Sequence, residues 1–176
     1  MENLVYAIVL LPLIGFVING LFGKRLPKAL VGGLATLVVF AAFLISVSIF
    51  IGFPADGTPV IVKAFEWFTI GGIQVNFGFQ IDQLSLMMMM IVTGIGSLIH
   101  LYSIGYMSHD KGFYKFFTYL NLFIFSMLLL VMGSNYLILF IGWEGVGLCS
   151  YLLIGFWYEN TEYGKAARKA FIMNRI

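Results

Sequence analysis

Tyr136–Trp157, YLILFIGWEGVGLCSYLLIGFW, is apolar from end to end except for one ionisable residue, Glu144. Twenty-two residues rising about 1.5 Å each span about 33 Å, the thickness of a bilayer's hydrocarbon core. Glu144 stands eight residues after Tyr136 and thirteen before Trp157, so the pattern places it near mid-membrane. A carboxylate at that depth costs a few kcal/mol or more. It is kept where it meets a partner, lines a polar cavity or carries a proton. Gly142, Gly145 and Gly147 surround it, and small residues let neighbouring helices approach the backbone closely. At helical spacing Glu144 shares a face with Leu137, Phe140, Gly147, Leu148 and Tyr151.

Four further apolar runs place this stretch in an all-α polytopic membrane protein. The chain is 61% hydrophobic and 10% charged, more apolar surface than a soluble domain can hide. The spans are predicted at Leu4–Phe22, Ala29–Phe53, Leu84–Tyr106, Phe113–Met132 and Tyr136–Trp157. Pro12 is a candidate kink in the first. A sixth begins near Gly164 and reaches only about two turns before Ile176, which reads as the opening part of a longer protein. The first run lacks the basic start and small-residue cleavage site of a signal peptide and reads as a retained span. The organisation is two spans (1–53), an external segment (54–80), then spans three to five and the start of the sixth (81–176).

The external segment differs in kind. Pro54, Asp56, Gly57 and Pro59 end the second span. Phe65–Ile70, a Gly71–Gly72 pair and Ile73–Gln80 read as a β-hairpin. In the second strand Ile73, Val75, Phe77 and Phe79 alternate with Gln74, Asn76, Gly78 and Gln80, giving one apolar face to rest on a helical surface or a neighbouring subunit.

Positive charge sets the orientation. Lys24, Arg25 and Lys28, then Lys111 and Lys115, then Lys165, Arg168 and Lys169 fall between alternate spans, eight of the ten basic residues on one side. Lys63 is alone on the other side. The expectation is a multi-pass protein of a bacterial inner membrane, rather than the mitochondrial one, with the N-terminus and hairpin outside. Net charge is +2 and no basic patch is present, so nucleic acid is not an expected partner; lipids and protons are.

Three residues could carry chemistry. Glu144 reads as a proton-relay carboxylate tuned by burial and a nearby cation, or as polar glue between helices. Arg175 follows Arg168 by seven residues on one face of the sixth span. By helical rise Glu144 lies about 20 Å and Arg175 about 10–15 Å from the basic side, so a direct or water-bridged link is within reach. The alternative is that Arg175 snorkels or meets a residue outside this chain. His100, in the third span, has the ordinary acidity for proton exchange, or is a structural histidine bonded to Ser97 or Ser103. Cys149 reads as a small packing residue. Met87–Met90 point around the whole helix and cannot converge on copper. No nucleotide loop, CxxC or nucleophile–base set is present.

The block GWEGVGLCSYLLIGFWY (Gly142–Tyr158) resembles the signature of the antiporter-like chain 5, or subunit L, family of the proton-pumping NADH–quinone oxidoreductase, respiratory complex I. IDQLSLMMM (Ile81–Met89), GSLIHLYSIGYM (Gly96–Met107), FFTYLNLFIFSM (Phe116–Met127) and KAFIMNRI (Lys169–Ile176) resemble it too. The first eighty residues agree in layout more than in motif. The resemblance implies a parent of about fourteen or more helices with two inverted five-helix repeats. It also implies a non-redox, cofactor-free subunit of that enzyme, whose partners are other membrane-arm subunits, above all a neighbouring antiporter-like one. By the same resemblance Glu144 matches the family's fifth-helix glutamate in the proton path, Arg175 the arginine that tunes it, and His100 a position commonly histidine. The rival readings are the large subunit of a multisubunit sodium/proton antiporter, and a purely structural element of the membrane arm.

Overall fold

The structure is a computed structural model describing residues 2–54 and 57–175; Asp56 and Ile176 lie outside the described residues. Six helices and one hairpin follow in the order α1 (Glu2–Phe22), α2 (Lys28–Ile51), β1 (Val60–Ile70), β2 (Ile73–Ile81), α3 (Gln83–Tyr106), α4 (Phe113–Met132), α5 (Tyr136–Ile154) and α6 (Thr161–Met173). The first five helices are long and apolar enough to cross a membrane. α1 runs unbroken through Pro12. α4 is the hub: it packs on α1, α2, α3 and α5, and α6 rests on α5.

Two ends are distinguishable. At one, the basic segments meet: Lys28 Nζ donates to the carbonyls of Ser108 (2.7 Å) and Asp110 (3.1 Å), joining the α1–α2 and α3–α4 connections. Trp157 Nε1 donates to the Asp110 carboxylate at 2.9 Å, adding the α5–α6 connection. Chiefly this indole bond, then the Gly112 N–H at 2.6 Å, holds the Asp110 carboxyl below its usual range. At the other end lies the hairpin. Phe79 bridges to Gly133, Ser134 N–H donates to Gly78 O, and Asn135 Nδ2 donates to Asn76 O at 2.8 Å. The short Gly133–Asn135 connection between α4 and α5 is thus also the hairpin's seat.

The hairpin pairs Ile70 with Ile73 across Gly71–Gly72, whose φ of +58° and +87° require glycine. β1 begins at Val60, five residues before the predicted start. Bulges between Lys63 and Phe65 and between Glu66 and Phe68 break its alternation, which hid the early part of the strand from a period-two reading. At the base of the hairpin, Val62 and Phe79 are buried among helix residues such as Val9, Leu128 and Met132. Nearer the turn, Phe65 stacks on Phe77 at 5.2 Å, while Phe65, Trp67, Phe68 and Ile70 stay exposed.

Helix ends shift the predicted spans by a few residues. Asp82 caps α3: its carboxylate accepts from Ser85 N at 2.8 Å, and Ser85 Oγ accepts from Asp82 N at 2.8 Å. The Ser85 N–H is the main reason the Asp82 carboxyl lies below its ordinary value. α5 stops at Ile154, three residues before Trp157, with Gly155 at its end. α6 starts at Thr161, three residues before Gly164, because Asn160 caps it through Glu162 N.

Candidate functional site

Two polar sets sit within the apolar helices. The first is on α3 and α4, and α1 completes it. Ser85, Thr93, Gly96, Ser97, His100 and Ser103 form a stripe on α3 that faces inward, buried. Thr93 and Ser97 turn their hydroxyls back onto the carbonyls of Met89 and Gly94. That satisfies them without leaving the helix. His100 is fully buried. Its Nδ1 lies 2.7 Å from Gly96 O and its Nε2 3.0 Å from Asn121 Oδ1. The serines at 97 and 103 are therefore not its partners, contrary to the expectation. A residue four back supplies its own helix's carbonyl, and α4 supplies the side chain.

The second set is on α5 and α6. α5 seats against α4 through two glycines. A Cβ at Gly142 would run into the backbone of Leu130, and one at Gly145 would lie 2.5 Å from Ser126 Oγ. This close approach fixes the rotation of α5 and turns Glu144 away from α4, toward α6. Arg175 reaches it: Nη2 is 2.5 Å from Glu144 Oε2. The direct link is realised, from a residue that follows Met173, the last residue assigned to α6, by two. The pair is not sealed: 45% of the arginine side chain and 26% of the glutamate remain exposed.

Phe171, Asn174 and Trp143, which sequence reading passed over, hold this pair together with Tyr151 and Gly147. The Arg175 guanidinium lies over the Phe171 ring, 4.0 Å from its centroid, and Phe171 packs on Tyr151 at 5.5 Å. Asn174 clasps α5 on both sides of Glu144. Trp143 Nε1 donates to Asn174 O at 2.8 Å, and Asn174 Nδ2 donates to Trp143 O at 3.4 Å. Gly147 leaves room for the Asn174 carboxamide, which any side chain there would strike. So Gly142 and Gly145 serve α4, and Gly147 serves α6. The only advance signal was the run of glycines around Glu144.

An open cleft of about 1000 Å³ at the basic end is lined by Lys24, Lys111, Lys115, Asp110, Trp157 and Tyr151, among others. Tyr151 is two turns from Glu144 on α5, so the cleft's inner wall and the ion pair share one helix face. Chemically, the pair sets an acidic and a basic side chain in contact within an apolar stretch, on the helix that also lends Tyr151 to the cleft. Among the described residues no group of three His, Cys, Asp or Glu could hold a metal ion.

Comparison with known proteins agrees with this layout. Residues 67–117 match the family model described as NADH-ubiquinone oxidoreductase (complex I), chain 5 N-terminus. Residues 133–176 match the one described as NADH:quinone oxidoreductase/Mrp antiporter, TM. NADH-quinone oxidoreductase subunit L of Rickettsia conorii is 46% identical over 174 residues, which cover 99% of this chain and 26% of that protein. Subunit L of Mycobacterium tuberculosis is 48% identical, over 97% of this chain and 27% of that protein. That of Campylobacter jejuni is 49% identical, over 100% and 28%. This chain thus spans about a quarter of the length of these relatives. A chain of an archaeal respiratory membrane complex, the membrane-bound sulfane sulfur reductase, shares the fold. Its TM-score is 0.82 at 16% identity, over 98% of this chain and 34% of that one.

Proposed function

We propose, for a chain that belongs to the chain 5 (subunit L) family of NADH:quinone oxidoreductase, a part in proton translocation across a membrane. The observation that carries this reading is the ion pair between Glu144, in the apolar helix α5, and Arg175, which follows the last assigned residue of α6. An opposite charge at contact distance favours the ionised carboxylate, and moving it away favours uptake of a proton. Arg175 is well placed to act this way. It is held by a cation–π contact to Phe171 and by the Asn174 clasp beside it, so a modest shift of α6 against α5 separates it from Glu144. The full-length protein would be a non-redox membrane subunit, with no cofactor of its own. It would answer electron transfer elsewhere in the complex by such a shift, and its neighbours would be other membrane-arm subunits.

Orientation follows from the basic end. Lys24, Arg25, Lys28, Lys111, Lys115, Lys165, Arg168 and Lys169 belong to the side of the cleft, which we assign to the bacterial cytoplasm. The N-terminus and hairpin are then outside, and protons enter by way of the cleft and Tyr151. His100 does not share this path. It lies on α3 and bonds Asn121 of α4, not a residue of the α5–α6 pair.

The test is Glu144→Gln in the full-length protein, assembled in its complex in inverted membrane vesicles, with proton uptake and NADH oxidation recorded together. Assembly with reduced pumping is the expected result. Pumping and oxidation both at the wild-type level would sink the relay role and leave Glu144 as helix glue. Sodium-dependent exchange without NADH would favour the antiporter reading, which the second family model's description keeps in view.

A further inference from the structure

The Glu144–Arg175 pair is flanked by a second contact between the same two segments. Trp143 precedes Glu144, and Asn174 precedes Arg175. Trp143 Nε1 donates to Asn174 O at 2.8 Å, and Asn174 Nδ2 donates to Trp143 O at 3.4 Å. Each residue thus offers its side chain as donor and its backbone carbonyl as acceptor to the other.

The sequence of α5 makes room for this exchange. A helix carbonyl accepts from the N–H four residues on and keeps a second lone pair. A helical side chain covers the turn before its own Cα, so the residue four on would screen that lone pair. For Trp143 that residue is Gly147. A Cβ there would lie 2.8 Å from Asn174 Cγ and closer still to its Nδ2. Gly147 therefore bares the Trp143 carbonyl and seats the carboxamide.

Neither hydrogen bond touches the ion pair, so their effect on it is positional. Arginine has a long side chain, and fixing its head is opposed by rotamer entropy. Two supports divide that task. The Phe171 ring lies 4.0 Å from the guanidinium and places the head. The Asn174 contacts place the backbone from which the side chain starts. Both of these hydrogen bonds are between neutral groups, so they part and re-form without stranding an ion.

We propose that Trp143 and Asn174 form a positioning latch. Closed, it holds Arg175 against Glu144; open, it frees α6 to carry the arginine away. The latch rests on the relay reading of that pair and adds what controls it. Gly147 is the residue that lets it close.

The test uses the full-length protein assembled in its complex, with proton uptake in inverted vesicles and a map of the complex as readouts. Trp143→Phe keeps a ring and loses the N–H. Trp143 is half-exposed, so the smaller ring opens no sealed cavity. The variant should accumulate normally and pump less per assembled complex, though more than Arg175→Ala. Its map should show Arg175 drawn away from Glu144. Gly147→Ala puts a methyl group on the Asn174 carboxamide and should do the same. It carries the test should Trp143→Phe fail to accumulate. Trp143→Phe combined with Arg175→Ala should pump as Arg175→Ala alone, because the latch then has nothing to place. Helix glue would instead add its own loss, and an added loss would overturn the latch. So would reduced pumping with Arg175 still on Glu144 in the map. Wild-type pumping by both single variants, while Glu144→Gln pumps less, would remove the latch and leave the relay standing. Wild-type pumping by Glu144→Gln would remove both.

Discussion

The two polar sets of this molecule differ in charge and in burial. The α1–α4 set is neutral and sealed: Asn19, His100 and Asn121 have no exposed surface. The α5–α6 set is charged and less enclosed: Arg175 and Glu144 touch, with 45% and 26% of their side chains exposed. A neutral network can be enclosed by packing alone, once its donors and acceptors are matched. A charged pair cannot be sealed without a large loss of solvation, so it stays where charge can still be reached. A polar residue at membrane depth is thus not one kind of signal. Burial separates a neutral set enclosed between helices from a charged pair that stays partly exposed.

The largest effect is expected at the seam between the two regions. Gly142→Leu would drive a side chain into the Leu130 backbone, which cannot rotate aside. Overpacking of this kind costs about 3 kcal/mol. The variant should fail to accumulate in the membrane, as seen by immunoblot, while Gly33→Leu, where a Cβ meets nothing within 4 Å, should accumulate normally.

Next come variants within the sealed set. Asn121→Leu leaves His100 Nε2 without a partner and should cost about 1–2 kcal/mol in detergent unfolding. His100→Leu should cost a similar amount. The double variant should cost less than the sum, since neither partner is then left stranded. Full additivity would mean that the two do not work as a unit, and the contrast between the regions would lose its first half.

What the sequence made legible follows the same division. The spans and the hairpin were readable because apolar length and period-two alternation are local patterns. Glu144 stood out because a single charge breaks a long apolar run. Its partner was readable only as a distance, since the rise per residue places Arg175 at about the right depth but says nothing of whether α6 continues. Asn174, Trp143 and Phe171 hold the arginine in place, through contacts 31 residues apart in sequence or one helical turn apart. His100 shows the other limit. Ser97 and Ser103 share its helix face, so a local reading chose them, but they were already satisfied by their own helix or turned elsewhere. Asn121, from α4, took the contact. Long-range pairing among equally apolar helices leaves no periodic trace.

A smaller effect tests the edge of the sealed region, where α3 leaves the hairpin. Asp82→Ala removes the cap at Ser85 N and should cost about 1 kcal/mol. The sign with pH is fixed. The folded carboxyl lies below its ordinary value of 3.8, so its contribution is fully present above that value and is lost as pH falls through the lowered one. Unfolding between about pH 5 and about pH 3 should therefore show a decline in wild type that is weaker in Asp82→Asn. Equal slopes would mean that the cap does not anchor α3.

The smallest stability effect should fall on the pair with the largest functional one. Arg175→Ala breaks an ion pair that is substantially exposed, and such pairs contribute about 0–1 kcal/mol. Accumulation and unfolding should stay near wild type. Proton pumping should fall, because Glu144 then lacks the charge whose approach and withdrawal would govern its proton. Arg175→Lys keeps the charge but loses the planar contact with Phe171, and should retain part of the pumping. If Arg175→Ala instead destabilised the protein as much as Asn121→Leu while pumping per assembled complex stayed at the wild-type level, the open pair would be structural like the sealed set. The difference in burial between them would then carry no functional meaning.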